Sequence, residues 1–138
     1  MSTFAVVSRE SERSLWAGLP EFEVALMQTF PDVRITARDR DAVEAIAWTR
    51  GDYGSPSWMD GSINAEVTAV FLRGDDRLIY ETALWLQSAV GDGVLTWDWQ
   101  GIPFALARIA SVEALAAAVE RNDESLDYRH RVTLGDAD

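Results

Sequence analysis

Hydrophobic and polar residues alternate along two short runs that meet at Gln100-Gly101. Alternation with a period of two is typical of half-buried strands, and a glycine at the second position of a two-residue loop suits a β-hairpin. If these two residues form the loop, the large side chains pair on one face. The pairs are Trp99 with Ile102, Trp97 with Phe104 and Leu95 with Leu106. A shift by one residue would scatter the aromatic side chains over both faces, so we predict this register.

Four other segments also show the pattern of strands. We predict strands at Thr3–Ser8, 32–38, Ile63–Leu72 and 128–134. The inward-facing residues of the second strand are Val33 and Ile35. One face of the third carries Ile63, Ala65, Val67, Ala69 and Phe71. The last four residues, Gly135–Asp138, are expected to form a frayed tail.

Helices are predicted where apolar residues recur every three or four positions. Pro20 suits the first turn of one helix, and Pro31 ends it. The inner stripe of this helix consists of Phe22, Leu26 and Phe30. Near the C-terminus, Ser111 is a suitable N-cap for a helix over Val112–Arg121.

A further helix is predicted after Asp39, which is a suitable N-cap residue. Its apolar face would consist of Val43, Ile46 and Ala47. Gly51 follows where a glycine commonly ends a helix. The sequence therefore predicts a helix between the strand at 32–38 and the loop that begins at Gly51.

The segment Arg77–Val90 is compatible with either a helix or a strand. As a helix it collects a broad apolar face, whereas as a strand it would extend a meander into the Gln100-Gly101 hairpin. Periodicity favours the helix. The order of elements predicts an α+β fold, a mainly antiparallel sheet with helices packed against it. Because no linker is long enough to divide the chain, residues 1–138 are expected to form one domain.

The chain is strongly acidic. Its 138 residues carry a formal net charge of −11, although 48% are hydrophobic and the composition is that of a folded protein. Residues 51–100 hold eight Asp and Glu but only two Arg, so the acidity is concentrated in the middle of the chain. Such a field repels phosphate backbones, which argues against direct nucleic-acid binding. A basic protein is the natural complement.

The chain lacks the residues on which several kinds of site chemistry usually depend. The chain has no cysteine and a single histidine, His130, so thiolate and histidine-rich metal sites are not expected. The familiar nucleotide-binding and zinc motifs do not occur, and we predict no cofactor, no metal ligand and no catalytic residue. Asp98, between two tryptophans, is the best single candidate for a raised pKa, but alternation places it on the face opposite them. No apolar run is long enough to cross a membrane, and we expect a cytoplasmic protein.

The segment 51–61 reads as a loop and holds the best candidate site. It places aromatic residues and Met59 among Gly, Ser and Pro, with an aspartate on either side. Trp58 could fold back over the core, or it could serve as an aromatic anchor with acidic neighbours at an interface. The predicted partner-binding residues are Asp52, Tyr53, Trp58, Met59, Asp60, Asp75, Asp76 and Asp92.

Two functions from different classes follow. The first is a non-enzymatic intracellular binding protein, an acidic inhibitor or immunity-type protein that covers the basic surface of a toxin or nuclease. The second is a small-ligand-binding domain or a carboxylate-based hydrolase with a tryptophan-lined pocket. A continuous acidic surface would favour the first function, and a deep apolar cavity with a carboxylate in its wall would favour the second.

Overall fold

The computed structural model describes residues 2–9, 14–52, 54–90, 95–99 and 102–121. The strands are β1 (Ser2–Arg9), β2 (Arg34–Arg38), β3 (Ile46–Gly51), β4 (Trp58–Ile63), β5 (Ala69–Asp75), β6 (Leu95–Trp99) and β7 (Ile102–Ala105). The helices are α1 (Leu19–Thr29), α2 (Asp76–Ala89) and α3 (Val112–Arg121), and a short 3-10 turn spans Leu106–Arg108. Across these described ranges, every helix is too short or too polar to traverse a lipid bilayer.

The described strands form a seven-stranded sheet in the order β2-β3-β4-β5-β1-β6-β7. Every neighbouring pair is antiparallel, so the first strand of the chain lies between two strands that come much later. The helices lie on one face. Helix α1 places Phe22 against Trp48 of β3, α2 contacts β1, β4, β5 and β6, and α3 packs against α2. The predicted α+β class, an antiparallel sheet with helices against it, is confirmed.

Side chains alternate across the sheet and divide it into a core face and an outer face. On the core face, paired positions in β3, β4, β5 and β1 are Trp48, Gly61, Leu72 and Ala5, all of them buried. The outer face carries half-buried and polar residues of the same strands. In β4 this alternation separates Met59, on the core face, from Trp58 and Asp60, on the outer face.

The predicted hairpin is present as β6 and β7. Trp97 pairs with Phe104 and Trp99 pairs with Ile102, which is the predicted register. The third predicted pair does not continue the ladder, because β7 ends at Ala105 and Leu106 begins the 3-10 turn. The turn residues Gln100 and Gly101 lie outside the described residues.

The helix predicted after Asp39 is wrong. Residues 39–45 form turns, in which the Asp39 carboxylate accepts a hydrogen bond from the Asp41 amide at 3.0 Å, and Ile46–Gly51 is strand β3. The apolar spacing that suggested a helix included Val43, whose side chain is 81% exposed. Gly51 is therefore the last residue of a strand, not a helix C-cap.

The single strand predicted at Ile63–Leu72 is also wrong, because two strands and a turn share this segment. The Asn64 carboxamide oxygen accepts hydrogen bonds from the amides of Thr68 and Ala69, at 2.8 and 3.0 Å. This arrangement reverses the chain and leaves Val67 at a φ of 58°. Phe71 consequently belongs to the outer face, while Val70 and Leu72 face the core.

The remaining predictions have clear outcomes. The segment predicted at Arg77–Val90 is helical, as periodicity favoured, and forms α2 up to its C-cap Val90. Helix α1 begins one residue before Pro20 and ends two residues before Pro31. The Ala114 amide donates a hydrogen bond to the Ser111 hydroxyl at 3.1 Å, as expected of an N-cap. The predicted strand at 128–134, with His130, and the tail 135–138 lie outside the described residues.

Candidate functional site

Several of the predicted site residues meet at one end of the sheet. The loop 52–57 joins β3 to β4, and Gly51 pairs with Trp58 where this hairpin opens. Because Met59 pairs with Gly74, Trp58 lies level with Asp75 at the end of β5. Asp76 begins α2 immediately afterwards. We call this region, formed by Asp52, residues 54–57, Asp75 and Asp76, the acidic end of the sheet.

Each aspartate of the acidic end lies at the start of a turn or of a helix. Asp52 is exposed and begins a turn in which the Ser55 hydroxyl donates a hydrogen bond to the Asp52 carbonyl at 2.7 Å. Asp75 is the N-cap of α2 and accepts a hydrogen bond from the Leu78 amide at 3.2 Å. Asp76 lies in the first helical turn, where the helix dipole stabilises negative charge. The start of α2 therefore gives a structural reason for two successive aspartates, Asp75 and Asp76.

Trp58, Met59 and Asp60 belong to a strand and not to a loop. Met59 is fully buried, with its sulfur 3.5 Å from the Thr82 hydroxyl, so it does not belong to an exposed surface. Trp58 and Asp60 project from the outer face, so Trp58 does not cover the core, which lies on the opposite side of the sheet. Tyr53 and Asp92 lie outside the described residues.

A buried arginine, Arg50, lies beside the acidic end on the core face. Its side chain is 7% exposed, and its guanidinium carbon lies 3.9 Å from the centroid of the Phe30 ring. Its nitrogens contact Asp32 and Glu81, each at 3.3 Å. It also donates a hydrogen bond to the Thr82 hydroxyl at 3.1 Å. These contacts join β3 to the start of β2 and to α2.

Arg50 changes the charge balance of this region. Asp32 is engaged by Arg50 and also accepts a hydrogen bond from the Gly51 amide at 3.1 Å. Glu81 is shared by Arg50 and Arg77, the latter at 3.6 Å. Sequence reasoning missed this cluster, although the alternation of Ile46, Trp48 and Arg50 on one face of a strand was a visible signal. The spacing of Val43, Ile46 and Ala47 had instead predicted a helix that includes this segment.

A cavity of about 370 Å³ opens on the outer face over β3, β4 and β5. Its wall includes the aromatic rings of Trp58 and Phe71 and the charged side chains of Glu44, Asp60 and Arg73. Hydroxyl groups come from Thr36, Thr49 and Ser62. We call this depression the outer-face cavity. It adjoins the acidic end through Trp58.

The charged groups of the outer-face cavity interact with one another. Arg73 donates a hydrogen bond to Asp60 at 2.7 Å, and the Ser62 hydroxyl donates one to Glu44 at 3.1 Å. The hydrogen bond and the charge of Asp60 raise the pKa of the Arg73 guanidinium, with a further contribution from Glu44. Both carboxylates therefore act on the same guanidinium.

The described residues show no group of three or more His, Cys, Asp or Glu side chains placed to hold a metal ion. Asp98, the candidate for a raised pKa, pairs through its backbone with Val6 and Pro103. What the region offers chemically is an aromatic surface with carboxylates and hydroxyls around it, a set that suits recognition of a cationic group. No protein-family model, curated protein or solved structure matches this chain.

Proposed function

We propose that this chain is a non-enzymatic binding protein that covers a basic surface of a protein partner, as an inhibitor or immunity-type protein covers a toxin or nuclease. The observation that supports this proposal is the gathering of Asp52, Asp75 and Asp76 at one end of the sheet, beside Trp58 and Asp60 on the outer face. These residues come from separate parts of the chain. An aromatic side chain among carboxylates is a common form of interface anchor for a basic protein.

The distribution of charged residues favours a basic partner. Arg50 and Arg77 engage Asp32 and Glu81 on the core side of the acidic end. Of the three aspartates of the acidic end, Asp52 is exposed, while Asp75 and Asp76 are half-buried at the start of α2. A basic partner would meet this negative surface with complementary charge, which speeds association and excludes acidic competitors.

The test is affinity capture from a lysate of the source cells with matched variants of the purified chain. In the first variant, Asp52→Asn and Asp60→Asn remove two charges near Trp58. In the control, Asp41→Asn and Glu66→Gln remove two exposed charges from the turns at the opposite end of the sheet. We expect a basic protein to be captured by the wild type and the control, and to be lost from the first variant and at high salt. Equal capture by both variants would contradict the proposal.

The outer-face cavity also favours a second candidate, the binding of a small ligand, with a carboxylate-based hydrolase as its catalytic form. Trp58 and Phe71 provide the apolar surface, and Glu44 and Asp60 provide carboxylates in the wall. A thermal-shift screen of small molecules tests this candidate. A compound whose stabilising effect disappears in a Phe71→Ala variant would support it, and a screen without any such compound would count against it.

A further inference from the structure

The outer-face cavity contains more acceptors than its own cation uses. Two carboxylates, Glu44 and Asp60, stand in its wall against one guanidinium, that of Arg73. The Arg73 side chain is 62% exposed and donates to Asp60 through its Nη2 atom. Glu44 receives a hydrogen bond from the Ser62 hydroxyl, whose neutral group does not balance its charge. The cavity therefore retains one negative charge.

In the core of the same protein, side chains of the kinds that line the outer-face cavity bind a guanidinium group. Arg50 lies over the ring of Phe30, between the carboxylates of Asp32 and Glu81, and donates to the hydroxyl of Thr82. The guanidinium is thus bound by one aromatic face, two carboxylates, one hydroxyl and the main-chain carbonyl of Leu78. The outer-face cavity presents the same kinds of groups, and the arginine in its wall, Arg73, is 62% exposed, whereas Arg50 is 7% exposed.

We propose that the outer-face cavity receives an arginine side chain from the basic partner. The inference rests on the proposed function, and it names the group that the partner would insert. The guanidinium would stack on Trp58 and donate to Glu44, with the hydroxyls of Thr49 and Ser62 as further acceptors. Arginine fits better than lysine because its planar group can stack on a ring while its edge donates to a carboxylate.

The size and position of the cavity are consistent with this occupant. A volume of about 370 Å³ accommodates one extended side chain together with water. Trp58 belongs both to its wall and to the end of β4 next to the acidic end, so a partner bound at the acidic end would lie beside the cavity. The remaining negative charge of the cavity, within a chain of net charge −11, favours a cation over a neutral or anionic group.

The test uses NMR titration of the folded chain with N-acetyl-arginine methylamide at constant ionic strength. The matched probes are the citrulline analogue, which has the same shape without the charge, and the lysine analogue. We expect the arginine probe to shift the amide resonances of Thr49, Ser62 and Phe71. Citrulline, which loses both the ion pair and the cation–π contact, should bind about tenfold more weakly than arginine. Lysine should also bind more weakly.

Variants of the wall locate the site. Glu44→Gln should weaken binding of the arginine probe about two- to fivefold, and Trp58→Ala by a similar factor. Glu66→Gln, the same chemical change at an exposed position in the turn between β4 and β5, should leave the affinity unchanged. A thermal melt of each variant checks that the fold is retained.

Three outcomes would overturn the inference: shifts that map outside the cavity, equal binding of arginine and either analogue, or an unchanged affinity in Glu44→Gln. These outcomes are separate from failure of the proposed function. Loss of partner capture on changing Asp52 and Asp60, together with an arginine probe that does not bind, would leave the proposed function standing and refute the arginine site. The reverse combination would keep the arginine site and refute the proposed function.

Discussion

The indole ring of Trp48 occupies the space that a side chain at Gly61 would fill. The two residues are direct partners on β3 and β4, and both face the core. A β-carbon on Gly61 would lie 2.6 Å from Cε2 of Trp48 and still closer to Cζ2. Real atoms do not approach so closely, so the absence of a side chain at Gly61 allows the indole to lie there, with its ring centroid 5.5 Å from that of Phe22.

Gly61→Ala is therefore expected to destabilise the fold by about 1–3 kcal/mol, because the buried indole must shift within a tightly filled core. Chemical denaturation measures the change in the free energy of unfolding. In a Trp48→Leu background the same substitution should cost at least about 1 kcal/mol less, since the obstructing ring is gone. Gly18→Ala is the control, because its added carbon meets only the end of the flexible Glu21 side chain. Equal costs in both backgrounds would contradict the contact.

Arg50→Met should destabilise the fold by about 3 kcal/mol, at the lower end of the range for breaking a buried ion pair. The lower end is expected because Asp32 and Glu81, with side chains 42% and 33% exposed, keep some water when the guanidinium is removed. Arg38→Met, which breaks the exposed pair with Glu23, is the comparison and should cost much less. Urea titrations of the two variants provide the measurement, and similar losses would show that Arg50 is not a structural centre.

Trp97→Ala should cost about 3–5 kcal/mol, as truncations of large buried aromatic residues do. The Trp97 side chain is fully buried, and its ring centroid lies 5.8 Å from that of Tyr80 on α2. Met27→Ala, at a side chain 45% exposed on α1, should change the stability by no more than about 0.5 kcal/mol. Thermal and denaturant unfolding of both variants check this difference. A small effect at Trp97 would mean that the hairpin contributes little to the core.

The pair Glu23–Arg38 predicts a pH dependence. The hydrogen bond and charge of Arg38 lower the pKa of Glu23 below its ordinary value of 4.5, so the folded state favours the ionised carboxylate. The resulting stabilisation is fully present above pH 4.5 and is lost as the pH falls through the lower pKa of the folded state. Glu23→Gln should accordingly be less stable than the wild type at neutral pH, and the difference should shrink in acid. A difference that stays constant with pH would argue against the pair.

Partner binding should separate into two kinetic effects. Asp52→Asn with Asp60→Asn should lower the association rate and flatten its dependence on salt, because long-range attraction is screened. Trp58→Ala should raise the dissociation rate, with a cost of about 2 kcal/mol if the side chain is a hot spot, and should leave the melting temperature nearly unchanged. Binding kinetics at low and high salt, beside a thermal melt, measure both. A lowered melting temperature with unchanged affinity would make Trp58 purely structural.

The acidic end was only partly accessible from the sequence. The concentration of carboxylates in residues 51–100 and the exposed position of Asp52 follow from composition and turn signals. The sequence does not reveal on which face Trp58 and Met59 lie, because this depends on whether those residues form a loop or a strand. Once β4 pairs with β3 and β5, alternation sends Met59 to the core and Trp58 to the surface.

By itself, the sequence determined the elements whose signals are local. The hairpin register of Trp97 and Phe104, the limits of α1 and the Ser111 cap of α3 each depend on periodicity or on one terminal residue. Only the tertiary structure decided that Ile46–Gly51 is a strand, since a short apolar spacing fits both periods and the neighbouring strands supply the hydrogen bonds that select one. It also decided the environment of Arg50, because a buried guanidinium requires carboxylates from the turn before β2 and from α2, which are distant in the chain.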